Sequence, residues 1–495
     1  MTILDLFDAA CADDARAPGL NGVSYAGLAT GVLRVCAGLH DRGVSPGDRV
    51  AIYCENRLAF VYAYLALLRL GAIAVPANVL YRRADLSHVL EDAGVRLAVA
   101  SEETAPHLRA LSHPPGMVDA SDIERWAADE TVDGVTPAQH PADDDPALLV
   151  YTSGTTGRSK GAILTHANLA TIAAQLVTAW RWTARDTLAM ALPLFHVHGL
   201  CAGLNGTLAA GGHLVLHKRF DAATILEALR RPDVTMFFGV PTMYVRLLEA
   251  LGDGQPPRLR LCVSGSAALA PDVHERFEQL FGMTILERYG ATEFGFALGN
   301  RYGGPRVPGS VGVPFPGVRV RIAQPGSSDA LPAGEIGELL VSGPNVTPGY
   351  WRNPEATAAA FVIDAEGARW YRTGDLSIFD RQNEVYRIVG RLKELIISGG
   401  FNVYPLEVEC EIDRFPCVRA SAVVGMPDPA RGEIPVAFIE ASDGFDADAL
   451  LNSLREQLAS FKVPKRVTVI DSLPRNALGK VEKHKLLRDA TVAAK

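Results

Sequence analysis

The sequence predicts an α/β fold joined to a smaller α+β unit, and three observations predict it. Helical and strand periodicities alternate from 22 to 110 and again from 185 to 300, the pattern of a largely parallel sheet covered by helices. After 300 the texture changes to Gly/Pro-punctuated strands such as VPGSVGVPFPGVRVRIAQPG and GEIGELLVSGPNV, which read as antiparallel. Beyond EVYRIVGRLKELI comes a shorter mixed segment, so a boundary is expected near 390. A chain of 495 residues exceeds what one compact core holds.

In order, YAGLATGVLRVCAGLHDRGV reads as an amphipathic helix, DRVAIYC as a strand, AFVYAYLALLRLG as a helix and AIAVPAN as a strand. The longest apolar stretch, FVYAYLALLRLGAIAVPANVLY, is broken by Arg69, Gly71 and Pro76, which makes it a buried helix–strand unit and not a membrane span. The acidic segment 131–146 reads as a surface connector. TLAMALP, HLVLH, VTMFFGV, LRLCVSGS and TILERYG follow as strands. In the last unit DALLNSLREQLASF reads as a helix with Leu450, Leu451, Leu454, Leu458 and Phe461 on one face.

Apolar residues make up 48% and charged residues 21%, ordinary for a soluble globular protein. A net charge of −8 argues against a general nucleic-acid grip. The N-terminus carries early acids and no basic region before an apolar core, so no secretory signal is expected. The seven cysteines show no C-x-x-C pair and read as buried reduced thiols of a cytoplasmic protein.

The stretch YTSGTTGRSKGAILTH (151–166) follows the apolar run ALLV. Glycines let backbone N–H groups converge on an anion, hydroxyls add donors, and lysine adds charge. It is not a Walker loop: Arg158 and Ser159 separate Gly157 from Lys160, and Gly161 stands where a magnesium-binding hydroxyl belongs. A phosphate grip and a flexible turn both fit the stretch alone. Two cations among the hydroxyls favour the grip.

Further stretches follow in order: ALPLFHVHGL, SGSAAL, ERYGATE, WYRTGDL, GRLKELIISGGFNVYPLEVE and PRNALGK. Together they resemble the acyl-adenylate-forming superfamily, which comprises acyl-CoA synthetases, adenylation domains of peptide synthetases and beetle luciferases. The resemblance runs from about residue 25 to 485. It implies a large N-terminal domain (1–390) of two helix-covered sheets and a small antiparallel β subdomain, a hinge (391–393), and a small mobile C-terminal α+β domain (394–495). It also implies ATP, Mg2+ and coenzyme A as co-substrates and cofactor, and a two-step ligation. Adenylation of the carboxylate releases pyrophosphate, and a thiol then displaces AMP. Charge develops on phosphate, so placed cations and N–H donors are the main catalytic device.

By the same resemblance Thr152, Ser153, Gly154, Thr155, Thr156, Gly157 and Lys160 grip the phosphates, Thr155 counting among the catalytic groups. Tyr289, with Glu287 and Gly290 beside it, faces adenine across the Gly265–Ser266–Ala267 turn, and Thr292 touches the phosphates. Glu293 holds Mg2+, a hard cation that favours oxygen. Asp375 accepts from the ribose hydroxyls, Arg391 approaches phosphate or carboxylate oxygens, and Arg387 is assigned to the nucleotide. Lys480 contacts the oxygens between carboxylate and α-phosphate, Lys393 is the pivot, and Gly399 and Gly400 line the pantetheine tunnel after rotation. In relatives the lysine of the PRNALGK context is an acetylation site, which would make an acetyltransferase a partner. His196 is expected near the substrate carboxylate, with His198 and Ser264 in the same pocket. Outside their motifs these residues read as a core aromatic (Tyr289), a surface carboxylate (Glu293), a turn cap (Asp375) and a solvated lysine (Lys480).

Arg288 and Arg246 set the expected acid. Guanidinium groups are natural receptors for a second carboxylate, and the motif set looks like malonyl-CoA synthetases. Ala291 departs from the methionine usual there, which leaves methylmalonate open. A short-chain, aryl or fatty acyl-CoA ligase, and an adenylation domain that loads a carrier protein, are the alternatives. Free CoA is preferred because no carrier motif follows.

Overall fold

The computed structural model describes every residue except 136, 138, 153–157, 253, 477–478 and 488–495. Among the described residues the strands assort into four sheets. A six-stranded sheet is centred on Arg49–Tyr53 and Ile73–Pro76, which run parallel, and ends in the antiparallel pair Pro146–Thr152 and Lys160–Thr165. A nine-stranded sheet carries Thr187–Met190, Met236–Gly239, Leu261–Ser264 and Leu286–Tyr289 as parallel neighbours. The expected change of texture after 300 appears as a five-stranded antiparallel sheet, from Arg319–Ala323 through Val385–Arg391. The last sheet starts at Ile396–Ser398 and includes Val418–Asp428 and Gly432–Ala441. This is the predicted α/β plus α+β class.

The apolar stretch near the N-terminus is a core helix. Leu58–Arg69 buries every residue from Ala59 to Leu68, because helix Tyr25–Asp41 on one side and Ala120–Ala128 on another cover it. Close approach to the first of these requires a glycine: a Cβ on Gly31 would lie 2.6 Å from the Tyr62 ring. Leu65 is fully buried there, so Leu65→Ala would cost about 2–5 kcal/mol. No helix among the described residues is long and apolar enough to cross a membrane.

Two expectations are corrected. The C-terminal helix spans Ala447–Gln457 and ends before Leu458, whose backbone is extended; Leu458 and Phe461 still pack against the same core, but from the following segment. Of the cysteines, Cys36, Cys54, Cys201 and Cys262 are buried, whereas Cys11, Cys410 and Cys417 are partly exposed.

Candidate active site

Parallel strands place their C-terminal ends at a common edge, where loops carry function. Here Leu261–Ser264 delivers Ser264, Gly265 and Ser266, and its neighbour Leu286–Tyr289 delivers Arg288, Tyr289 and the turn to Glu293. The antiparallel sheet meets this edge with Asp375 and Arg391, which are register partners.

Asp375 is 5% exposed. It accepts a hydrogen bond from Tyr289 Oη at 2.6 Å and pairs with Arg391 Nε at 2.9 Å. Burial and the adjacent Asp375 carboxylate push the Tyr289 phenol well above its usual value. Burial opposes the charge of Arg391, but Asp375 and Tyr289 outweigh it and hold its pKa up. Glu293, also buried, accepts from Tyr350 Oη at 2.9 Å; Tyr350 Oη lies 3.1 Å from Tyr371 Oη. Lys160 Nζ sits 5.4 Å from the centre of the Tyr350 ring, opposite Thr152 in register. Thr292 is buried in the turn between these groups. Among the described residues no three His, Cys, Asp or Glu side chains form a metal cluster. A buried carboxylate with one oxygen engaged by Tyr350 fits Mg2+, a hard cation that favours oxygen ligands.

A second group lies on the other side of Ser264. The Arg288 side chain is buried, stacks 4.5 Å from the centre of the Phe296 ring and reaches Ser266 Oγ at 3.4 Å. Its Nε has no hydrogen-bond partner, and neither have His196 Nδ1, His198 Nε2 and Ser264 Oγ. Among the described residues no carboxylate ion-pairs with Arg288. Burial pulls its pKa down to about 9, which leaves it charged at neutral pH. Burial, then Arg288, push His196 down to about 4 and His198 well below its usual value. Both imidazoles are therefore neutral beside a charged guanidinium. Ser266 holds a left-handed backbone at φ 73°, costly for a non-glycine, and this puts its Oγ 3.4 Å from His198 Nδ1 as well. Gly265 is required beside it: a Cβ there would lie 2.4 Å from Arg288 Nε.

Lys480 approaches from the last unit. Its side chain keeps solvent contact, yet protein crowds it from several sides. Burial first, then Arg391, lower its pKa, while Asp375 and Glu394 act against them. Gly479 beside it packs on the N-terminal part, where a Cβ would meet Thr242 Oγ1 at 3.3 Å. Burial and Arg391 likewise lower Lys393.

The structure does not bring every expected residue here. Arg246 is exposed and lines a cavity of about 300 Å³ with Phe195, Lys218, Arg219, Met243 and Gly479. Glu287 points away, accepting from Gly309 N at 3.1 Å with His274 Nδ1 at 3.6 Å. Arg387 is held by the Pro308 carbonyl at 3.0 Å and by Asp380. Gly399 and Gly400 take positive φ, 59° and 84°, in the exposed turn between Ile396–Ser398 and Phe401–Val403, a conformation that two-residue hairpin turns favour. Gly290 is fixed by the Gly295 carbonyl, 1.9 Å from a Cβ built on it, and Ala267 is exposed. Ser153, Gly154, Thr155, Thr156 and Gly157 lie outside the described residues. Sequence reasoning missed Tyr350, Tyr371 and Phe296. Tyr350 stands in TPGYW beside a glycine, and no spacing connects it to Glu293 across 57 positions.

The AMP-binding enzyme profile matches residues 8–351, and the AMP-binding enzyme C-terminal domain profile matches 407–480. The chain belongs to the AMP-binding enzyme family, as an ATP-dependent acyl-CoA ligase. It is 38% identical to a feruloyl-CoA synthase from Amycolatopsis sp, over 95% of this chain and 94% of that one. It is 36% identical to mitochondrial malonate–CoA ligase of Mus musculus, over 89% and 81%. The ATP-bound crystal structure of MatB from Rhodopseudomonas palustris superposes with a TM-score of 0.89 at 37% identity, both chains covered in full; the apo form of MatB gives 0.78.

Proposed function

We propose that this ligase activates a small dicarboxylate, malonate or methylmalonate, and transfers it to CoA. The observation that carries the reading is Arg288: a buried, charged guanidinium without a carboxylate, whose own Nε lacks a partner beside three further unpartnered polar atoms, His196 Nδ1, His198 Nε2 and Ser264 Oγ. Leaving such a charge unpaired costs several kcal/mol, and a second carboxylate on the substrate meets that cost. The malonate–CoA ligase relative supports the same reading.

In the first half-reaction a carboxylate oxygen attacks the α-phosphorus of ATP and pyrophosphate leaves. Asp375 uses two of its acceptor sites on Tyr289 and Arg391, so two of roughly four remain for the ribose hydroxyls. Arg391, Lys160 and Lys480 supply positive charge around the phosphates, and Thr152 with the following loop supplies donors. Glu293 would hold Mg2+, which when bound would supply positive charge against the phosphate oxygens. In the second half-reaction the thiol sulfur attacks the acyl carbon, the bond to the phosphate oxygen breaks and AMP departs. Movement of the last unit about Lys393 withdraws Lys480, and the Gly399–Gly400 turn takes its place. The closer fit to ATP-bound than to apo MatB supports assigning the arrangement described here to the first step.

A second reading, an aryl acid, is favoured by the feruloyl-CoA synthase relative and by Phe238 stacked on His198 at 6.4 Å. It leaves Arg288 unmatched. A panel of acids tested for ATP- and CoA-dependent AMP release decides: malonates turning over fastest support the proposal, and ferulate or a fatty acid turning over fastest contradicts it.

A further inference from the structure

Lys480 lies on one arm of a hairpin, next to its pairing residues. Arg475 and Val481 form an antiparallel bridge, Glu482 N donates to the Pro474 carbonyl at 2.7 Å, and Asn476 N donates to the Lys480 carbonyl at 2.9 Å. Three residues past Lys480, Lys483 places its ammonium between two carboxylates, Glu409 at 2.7 Å and Glu394 at 3.2 Å. Glu409 belongs to the helix Pro405–Asp413 and also accepts from Val423 N at 2.6 Å, so it anchors this end to the core of the last unit. Glu394 is different. It immediately follows Lys393 and ends the short turn Leu392–Glu394, beside the place where the chain would pivot.

We propose that Glu394 is a positioning residue for Lys480, fastening the hairpin through Lys483 to the segment after Lys393. The inference rests on the reading of Lys480 as the adenylation lysine. Rotation at Lys393 is thereby passed to Lys480 without slack, because the pair joins the first residue beyond the pivot to the base of the hairpin. The charged groups that act on Lys480 are Arg391 and Lys393, which disfavour its charge, and Asp375 and Glu394, which favour it. Glu394 in turn is held ionised by Lys483, then Lys480 and Arg391, against the burial that opposes its charge.

The test uses the full chain and the acid it turns over fastest. Adenylation is read by ATP–pyrophosphate exchange without CoA, and thioester formation from supplied acyl-adenylate. Glu394→Gln should lower the exchange kcat by about 10- to 100-fold, the scale of a small misplacement at the reacting centre, with the KM for ATP little changed and thioester formation far less affected. Its alkaline limb should move to lower pH, because Lys480 loses a favourable neighbour and deprotonates sooner. Lys483→Met should lower exchange without that downward shift, since the Glu394 charge still acts on Lys480, and Lys483→Arg should restore most of the rate. Exchange at the wild-type rate in Glu394→Gln, an unmoved alkaline limb, or equal loss in both half-reactions overturns the proposal. Lys480→Ala measured alongside separates the two claims: if it retains exchange, the reading of Lys480 fails first. Thermal unfolding of each variant reports folding, and Lys483→Met remains decisive if Glu394→Gln does not fold.

Discussion

Tyr289 Oη donates to Asp375 Oδ2 at 2.6 Å, and this bond joins the end of a parallel strand in the large sheet to the antiparallel sheet. The adenine-facing ring and the ribose-facing carboxylate of the proposed site are thus one unit. Asp375→Ala should raise the KM for ATP by on the order of 100-fold or more, the loss of two contacts to a charged group at ~1.5–3 kcal/mol each. ATP-dependence of the exchange rate measures it, and an unchanged KM removes Asp375 from the nucleotide site. Tyr289→Phe keeps the ring, so its effect should be smaller.

Glu293 and Tyr350 predict a graded response to Mg2+. Glu293→Gln keeps shape and loses the charge that a hard cation favours, so half-saturation by Mg2+ should rise strongly. Tyr350→Phe leaves the Glu293 charge in place but removes the 2.9 Å bond that orients the carboxylate, together with the contact to Tyr371 Oη, and should raise it by on the order of tenfold. Mg2+ binding followed calorimetrically with a non-hydrolysable ATP analogue reads this apart from turnover. Equal, wild-type binding in both variants places the metal elsewhere.

His166 predicts acid sensitivity. It is 1% exposed, neither ring nitrogen has a partner, and burial pushes its pKa down to about 4 from 6.5. The unfolded chain therefore takes up the proton first as pH falls. The stability held above pH ~6.5 is lost towards pH ~4, by at most about 3 kcal/mol. Urea unfolding of wild type and His166→Leu at pH 7.5 and 4.5 should show a smaller loss in the variant. Identical losses contradict it.

Much of this was legible in the residues. The alternation of periodicities placed the parallel strands, since period decides which face is buried, and the Gly/Pro punctuation placed the antiparallel sheet. Arg288 was singled out from ERYGATE, but its isolation from carboxylates is a property of the folded neighbourhood and has no trace in spacing. Arg246 pairs with it in the sequence because it lies in GVPTMYVRLL, near the region expected to form the pocket floor. Helix Pro241–Leu251 turns Arg246 outward, since Tyr244, Leu247 and Leu248 take the buried face. Glu287 shows the same effect in a strand, where adjacent side chains point to opposite faces. The end of the last helix at Gln457 was missed because Leu458 continues the apolar pattern from an extended backbone.

The central claim is that Arg288 holds the second carboxylate of the substrate. The most direct measurement is the ratio of kcat/KM for malonate to that for butyrate, in wild type and in Arg288→Met, which keeps an unbranched apolar stem and loses the charge. The account predicts that wild type prefers malonate, and that the variant loses about 2–5 kcal/mol of transition-state stabilisation for malonate alone, with butyrate little changed. A ratio unaltered by the substitution, or a wild type that prefers butyrate, contradicts it.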